Sequence, residues 1–116
     1  MERAFIERLY AAFNARHLEV ALAAMHPDVV WPNGMEGGYV YGVNAVRDYW
    51  TRQWGIIDSY VEPVSIDEDR EGRAVVRVHQ VVRDLSGNVL GDQFVLHIYV
   101  IEDGLVSSME IQKPDA

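Results

Sequence analysis

The chain has 116 residues, of which 49% are hydrophobic and 24% charged, a composition typical of one globular domain rather than of a disordered segment. Ten basic against 18 acidic side chains give a formal charge of −8, which disfavours nucleic acid and anionic membranes as partners. The sequence has no cysteine, which excludes disulfides and thiolate nucleophiles, and it shows neither a secretory signal pattern nor a long apolar run, so we expect a cytoplasmic protein without a membrane span.

The first half of the chain has helical periodicity. Phe5, Leu9 and Phe13 repeat every fourth residue and predict a first helix. Apolar residues within 18–25 predict a short second helix, which should stop near Pro27 because proline restricts the residue before it. A brief strand at 29–31 and an irregular stretch at 32–38 are predicted next. A third helix should follow Gly42, with one apolar stripe formed by Val46, Trp50 and Trp54.

The second half alternates between apolar and polar residues, which is typical of strands. We predict a weak strand at 60–67, which Pro63 should confine to a sheet edge or a bulge. Two long strands at 73–84 and 89–101 and a last strand at 105–112 should follow. Helices first and an antiparallel sheet afterwards predict the α+β class, with the helices on one face of the sheet.

Four pieces of sequence, in this order and spacing, resemble one known superfamily. They are Phe-Asn-Ala-Arg-His-Leu at 13–18, His-Pro-Asp-Val-Val-Trp at 26–31, Gly42, and Val-Ile-Glu-Asp-Gly-Leu-Val at 100–106. The chain thereby resembles the nuclear transport factor 2-like superfamily, which includes ketosteroid isomerase and SnoaL-like polyketide cyclases. The resemblance implies a single domain over residues 1–116. It also implies a cystatin-like cone, in which a curved sheet wraps around three helices to enclose one pocket, and a homodimer formed through the convex sheet face.

Strand parity predicts which side chains face the pocket. If strands 73–84 and 89–101 pair through a loop of two or four residues, odd positions of one strand share a face with even positions of the other. His79 and His97 then lie on opposite faces and cannot share a metal ion. The even positions of the first strand are the more apolar. We therefore expect the interior to contain Val76, Val78, Gln80, His97 and Tyr99.

The last hairpin has two possible registers. A three-residue loop at 102–104 would place Met109 and Ile111 inside the pocket, whereas a two-residue loop at 103–104 would bring Glu110 opposite His97. The first register is favoured because it buries apolar atoms and leaves a carboxylate in water.

His97 and Asn33 are the candidate chemical groups. An imidazole in an apolar cone would stay neutral and could act as an acid or base; a core histidine satisfied by one hydrogen bond is an equally good interpretation. By resemblance, His97 stands at an acidic oxyanion-hole position and Asn33 at that of the catalytic aspartate of ketosteroid isomerase. An amide cannot accept a proton from carbon but can bind a carbonyl, and a plain turn at Asn33 is the favoured alternative. The family's oxyanion tyrosine would fall at Leu9, with Tyr10 off that face, so authentic ketosteroid isomerisation is not expected.

Aromatic side chains could wall the pocket, although plain core packing is the stronger interpretation for Trp50, which by resemblance replaces a pocket tyrosine. The set comprises Trp31, Tyr41, Trp50, Trp54 and Tyr99. Gln80 would need a polar partner, in the protein or in a ligand.

We find no phosphate-binding loop and no metal-ligand spacing, and we expect no cofactor and no metal. Two functions are therefore carried forward. The first is an isomerase, cyclase or dehydratase that moves a proton through His97 on a hydrophobic carbonyl compound. The second is a non-catalytic ligand-binding or dimerisation module.

Overall fold

The computed structural model describes residues 3–114, which form three helices and six strands. The helices are α1 (Arg3–Asn14), α2 (Leu18–Leu22) and α3 (Val43–Trp54). The strands are β1 (Met25–Pro32), β2 (Tyr39–Tyr41), β3 (Ile57–Glu68), β4 (Ala74–Asp84), β5 (Val89–Glu102) and β6 (Leu105–Gln112). Residues 1, 2, 115 and 116, which belong to the predicted domain, lie outside the described range.

One curved, unclosed sheet contains all six strands in the order β2-β1-β6-β5-β4-β3. The predicted α+β cone is confirmed. One pair departs from the expected antiparallel sheet, because β1 runs parallel to β6. These two strands are joined by a long connection through the rest of the chain, which a parallel pair requires. No helix within the described range is long and apolar enough to cross a membrane.

The second helix is shorter than predicted. It ends at Leu22, and Met25, which was expected on its apolar face, is the first residue of β1. The cause is tertiary: the amide of Val106 at the start of β6 donates to the carbonyl of Ala24 at 2.9 Å, which draws the chain into the sheet. Pro27 is accommodated because the β1–β6 register is irregular between Met25 and Val30. Strand β2 was not predicted.

Pro63 lies where its chemistry allows. Strand β3 is the outer strand of the sheet, and its register with β4 shifts between Pro63 and Ser65. The expected edge position and bulge are therefore both present.

The side chains of the β4–β5 hairpin face as predicted, but a bulge that was not predicted sets the strand register. Arg83 is paired with Val89, but Val82 is paired with Gly91, so Leu90 is an extra residue in β5. This bulge shifts the register by one position and brings Val76 opposite His97. His79 lies on the outer face, stacked on Phe94 with 5.0 Å between the ring centroids.

The β5–β6 hairpin corrects one prediction. Glu102 is paired with Leu105, so the loop has two residues, and both Asp103 (φ 53°) and Gly104 (φ 77°) are left-handed, as a tight primed turn requires. The favoured three-residue loop is therefore wrong. A second bulge at Ser107 then shifts the register, so that Ile111 lies opposite His97 and Glu110 opposite Ile98. The apolar side chains of β6 face inward, as expected, although the loop before this strand has two residues and not three.

Candidate functional site

A cavity of about 400 Å³ lies between the concave face of the sheet and helices α1 and α3. Its apolar lining comprises Leu9, Phe13, Trp31, Pro32, Gly34, Trp50, Ile57, Val61, Val82, Val95, Met109 and Ile111. Its polar lining comprises Tyr10, Tyr49, Gln53, Ser59, Gln80, Gln93, His97 and Tyr99. Such a volume, with a few polar groups in an apolar wall, is typical of small-molecule sites.

Three polar side chains form a hydrogen-bonded chain in this lining. The Tyr99 hydroxyl donates to the Tyr10 hydroxyl at 2.9 Å, and the Tyr10 hydroxyl lies 2.6 Å from Nδ1 of His97. Helix α1 supplies Tyr10, and β5 supplies the other two at alternate positions on one face. All three side chains are buried.

The direction of these bonds determines the histidine tautomer. Tyr10 has one proton, and because it accepts from Tyr99 it must donate that proton to Nδ1 of His97. In the reverse chain the buried Tyr99 hydroxyl would have no acceptor among residues 3–114, which is the costlier arrangement. We therefore assign His97 as the Nε2–H tautomer. Its Nε2–H has no partner within the described residues and is left as a donor for a ligand.

Burial keeps this chain uncharged. Desolvation lowers the pKa of His97 from the usual 6.5 to about 4, so the ring is neutral near pH 7. The pKa of Tyr10 and that of Tyr99 are both raised, chiefly by burial. His97 can therefore offer a neutral hydrogen-bond donor at this pH, and its low pKa makes it a weak base.

Among residues 3–114, no aspartate, glutamate, lysine or arginine lines the cavity. Across residues 3–114, no group of three or more His, Asp or Glu side chains could hold a metal ion. The lining also lacks a carboxylate that could take a proton from carbon. What the arrangement can do chemically is bind an apolar molecule and donate a hydrogen bond to its acceptor atom.

A second polar cluster joins α3 to the loop after β1. The Tyr49 hydroxyl accepts from the Gly34 amide at 3.1 Å and lies 3.1 Å from the side-chain amide of Gln53. With Nε2 of Gln53 as the donor, its buried Oε1 has no partner among the described residues. Burial raises the pKa of Tyr49, so the hydroxyl stays neutral. This cluster holds the backbone of Gly34 against the cavity.

Seven of the predicted site residues line the cavity: Trp31, Trp50, Gln80, His97, Tyr99, Met109 and Ile111. Five do not: Asn33, Tyr41, Trp54, Val76 and Val78. Val76 and Val78 face inward but are packed completely in the core. Tyr41 lies on β2 with 68% of its surface exposed. Trp54 packs outside the cavity, and the guanidinium carbon of Arg16 lies 5.0 Å from the centroid of the Trp54 ring.

Asn33 is held in a turn. Its Oδ1 accepts from the amides of Met35 and Glu36, at 3.2 and 2.8 Å, and its Nδ2 donates to the Glu36 carboxylate at 2.9 Å. These bonds occupy both ends of the side-chain amide. The geometry agrees with the turn interpretation rather than with a ligand contact.

Tyr10 is the principal site residue that sequence reasoning missed. A strict repeat of four through Phe5, Leu9 and Phe13 placed it off the inner face. In the structure the buried positions of α1 include Ile6, Leu9 and Tyr10, as a repeat of three and four predicts for a helix with 3.6 residues per turn. That wider apolar stripe was the available signal.

A family model supports the fold independently. The model of the SnoaL-like domain matches residues 6–109, which include all three members of the hydrogen-bonded chain. No curated protein matches the chain.

Solved structures of similar fold are numerous. TerC co-crystallised with polyporic acid is 27% identical, with a TM-score of 0.81, and the match covers 96% of this chain and 89% of TerC. A nuclear transport factor 2-like protein of unknown function from Burkholderia pseudomallei is also 27% identical, with a TM-score of 0.82 and coverage of 97% and 89%. A Mycobacterium tuberculosis protein in complex with estradiol-17β-hemisuccinate has a TM-score of 0.80 and coverage of 93% and 89%; at 16% identity this likeness concerns the fold alone.

Proposed function

Because the chain belongs to the SnoaL-like domain family, we propose that it binds a small, largely apolar carbonyl compound and catalyses a cofactor-independent isomerisation, cyclisation or dehydration next to that carbonyl. The observation that carries the proposal is the Tyr99–Tyr10–His97 chain, which presents one neutral N–H donor in an apolar cavity. The bound molecules named for TerC and for the Mycobacterium tuberculosis protein support a small-molecule role.

In this proposal His97 is an electrophile rather than the base expected from sequence. Its Nε2–H donates to the carbonyl oxygen and stabilises the negative charge that develops there as an adjacent C–H bond breaks. The Tyr10 hydroxyl donates to Nδ1, so a change of tautomer would require both bonds of the chain to reverse and would leave the Tyr99 hydroxyl without an acceptor among residues 3–114. The proton from carbon passes to water, because the lining has no carboxylate.

The second candidate is non-catalytic binding of the same kind of molecule. The specific observation in its favour is the lack of a strong base: the lining has no carboxylate, and His97 has a pKa of about 4. Binding and catalysis therefore have to be measured separately.

His97→Gln separates the two candidates. Wild-type protein is expected to accelerate the exchange of the α-hydrogens of androst-4-en-3-one for deuterium in D2O, which NMR measures. The acceleration by the variant should be ~100-fold smaller, which is the usual effect of removing an oxyanion donor. The control is His79→Gln, on the outer face of the sheet, which should exchange at the wild-type rate. A ketone that binds with no acceleration in the wild type would leave binding as the function.

We further propose that two copies associate through the convex sheet face. Tyr60 and Phe94 are each 44% exposed there, and the Arg77 guanidinium lies 4.9 Å from the centroid of the Phe94 ring, which makes a cation–aromatic surface suited to an interface. Phe94→Glu is expected to yield monomers by sedimentation at micromolar concentration, whereas Val20→Glu, at an exposed position of α2, should not. A monomeric wild type would contradict the dimer.

A further inference from the structure

We infer that the ligand of this cavity is uncharged and carries a second hydrogen-bonding group at the end remote from its carbonyl. The inference deepens the proposed function and rests on it. It follows from where the polar groups of the lining lie and from which kinds are missing.

The lining has a second polar region away from His97. Gln80 and Gln93 are directly opposite each other on β4 and β5, and Ser59 lies diagonally from Gln80 on β3, where it is paired with Val82. All three line the cavity. No hydrogen bond within residues 3–114 uses these side chains. Ser59 is buried and Gln80 is half-buried, and such groups without a protein partner indicate a ligand or water partner; Gln93 is exposed and can also bind solvent.

An apolar band separates the two polar regions. Val76, not Gln80, is the residue opposite His97, and Gln93 precedes His97 by four positions in β5. Four strand residues correspond to ~13 Å along the chain. Val95 lies between them on the same face of β5 and lines the intervening wall. A ligand that satisfies both regions therefore has an apolar body with polar groups at its two ends.

The absence of charge in the lining selects against ions of either sign. Beside the buried Ser59 and the half-buried Gln80, a carboxylate or an ammonium would lose hydration without gaining an opposite charge, which disfavours binding. The net charge of −8 adds a field that repels anions. Side-chain amides and a hydroxyl can each donate and accept, so they match a neutral hydroxyl, ketone or carboxamide at the second end.

Two sets of three compounds test the inference with the carbonyl held constant. The first is androst-4-en-3-one without a substituent at C17, with a 17β-carboxamide and with a 17β-carboxylate; the smaller set is benzophenone, 4-benzoylbenzamide and 4-benzoylbenzoate. Dissociation constants at pH 7 come from quenching of tryptophan fluorescence, since Trp31 and Trp50 line the cavity.

The carboxamide of at least one set should bind about tenfold or more tightly than the matching carboxylate. It should also bind more tightly than the unsubstituted ketone. The double variant Gln80→Leu/Gln93→Leu should lose the preference for the carboxamide over the unsubstituted ketone and keep the preference for the carboxamide over the carboxylate. Gln112→Leu, outside the cavity, is the control and should change neither ratio.

The outcomes separate the inference from the function beneath it. Ketones that bind in a His97-dependent way, together with carboxylates that bind as tightly as the carboxamides, would overturn the inference and leave the proposed function standing. A carboxamide advantage that survives loss of both glutamines would overturn the second polar region. If none of the six compounds binds, or if His97→Gln weakens none of them, the proposed function itself falls.

Discussion

Trp50→Ala should lower the free energy of unfolding by ~3–5 kcal/mol, the range for truncating a large buried aromatic side chain. Trp50 is 2% exposed and lies at the centre of an aromatic cluster. Its ring centroid is 5.1 Å from that of Phe13, 5.4 Å from that of Trp31 and 5.9 Å from that of Trp54. Alanine would remove these edge and tilted contacts and join the vacated space to the existing cavity.

Urea denaturation followed by circular dichroism measures this loss at pH 7. Val20→Ala, whose side chain is 63% exposed on α2, is the control and should change stability by less than ~0.5 kcal/mol. Trp50→Phe should lose less than Trp50→Ala, because a ring remains in the cluster. A loss below ~1 kcal/mol for Trp50→Ala would mean that the cavity wall collapses around the smaller side chain, contrary to a core role for Trp50.

Lowering the pH from 7 towards 4 is expected to remove about 3 kcal/mol of stability through His97 alone. Burial lowers the folded-state pKa of His97 to about 4, whereas the unfolded ring has the usual 6.5. Between these values the unfolded chain binds the proton and the folded protein does not, so stability falls as pH falls. The ring's polar neighbours are Tyr10 and Tyr99, whose raised pKa values keep both neutral in this range.

His97→Gln should therefore lose most of the pH dependence of stability between pH 6.5 and 4.5, measured as urea midpoints at intervals of half a unit. The exposed His17 offers the matched control, since His17→Gln should keep the wild-type slope. Carboxylates with lowered pKa values, such as those of Asp69 and Asp84, contribute stability that is lost only at lower pH, as they become protonated. An unchanged slope in His97→Gln would show that His97 is charged in the folded protein or already exposed.

Much of the architecture was predictable because it depends on local patterns. Gly42 before an apolar stripe marked α3, because glycine readily adopts the positive φ found there (89°), and Pro63 marked an edge strand with a bulge, because proline restricts the backbone and lacks an amide hydrogen. Alternation along β4 and β5 placed His97 inside and His79 outside. The same pattern could not show that Val76 and Val78 would be covered completely while Gln80 and Val82 reach open space, because the depth of the cavity depends on how α1 and α3 lie across the sheet.

The sequence by itself determined the fold class and the face on which His97 lies, because residue periodicity and turn chemistry are properties of neighbouring residues. Only the tertiary structure decided the chemistry of that face. Two bulges, at Leu90 and Ser107, set the strand registers; Gly91 is a weak local signal for the first, and the second has none. The bond between Tyr10 and His97 joins residues 87 positions apart and determines which ring nitrogen carries the proton. Such a contact exists only once α1 has packed against the sheet, which is why we propose a hydrogen-bond donor where the sequence predicted a base.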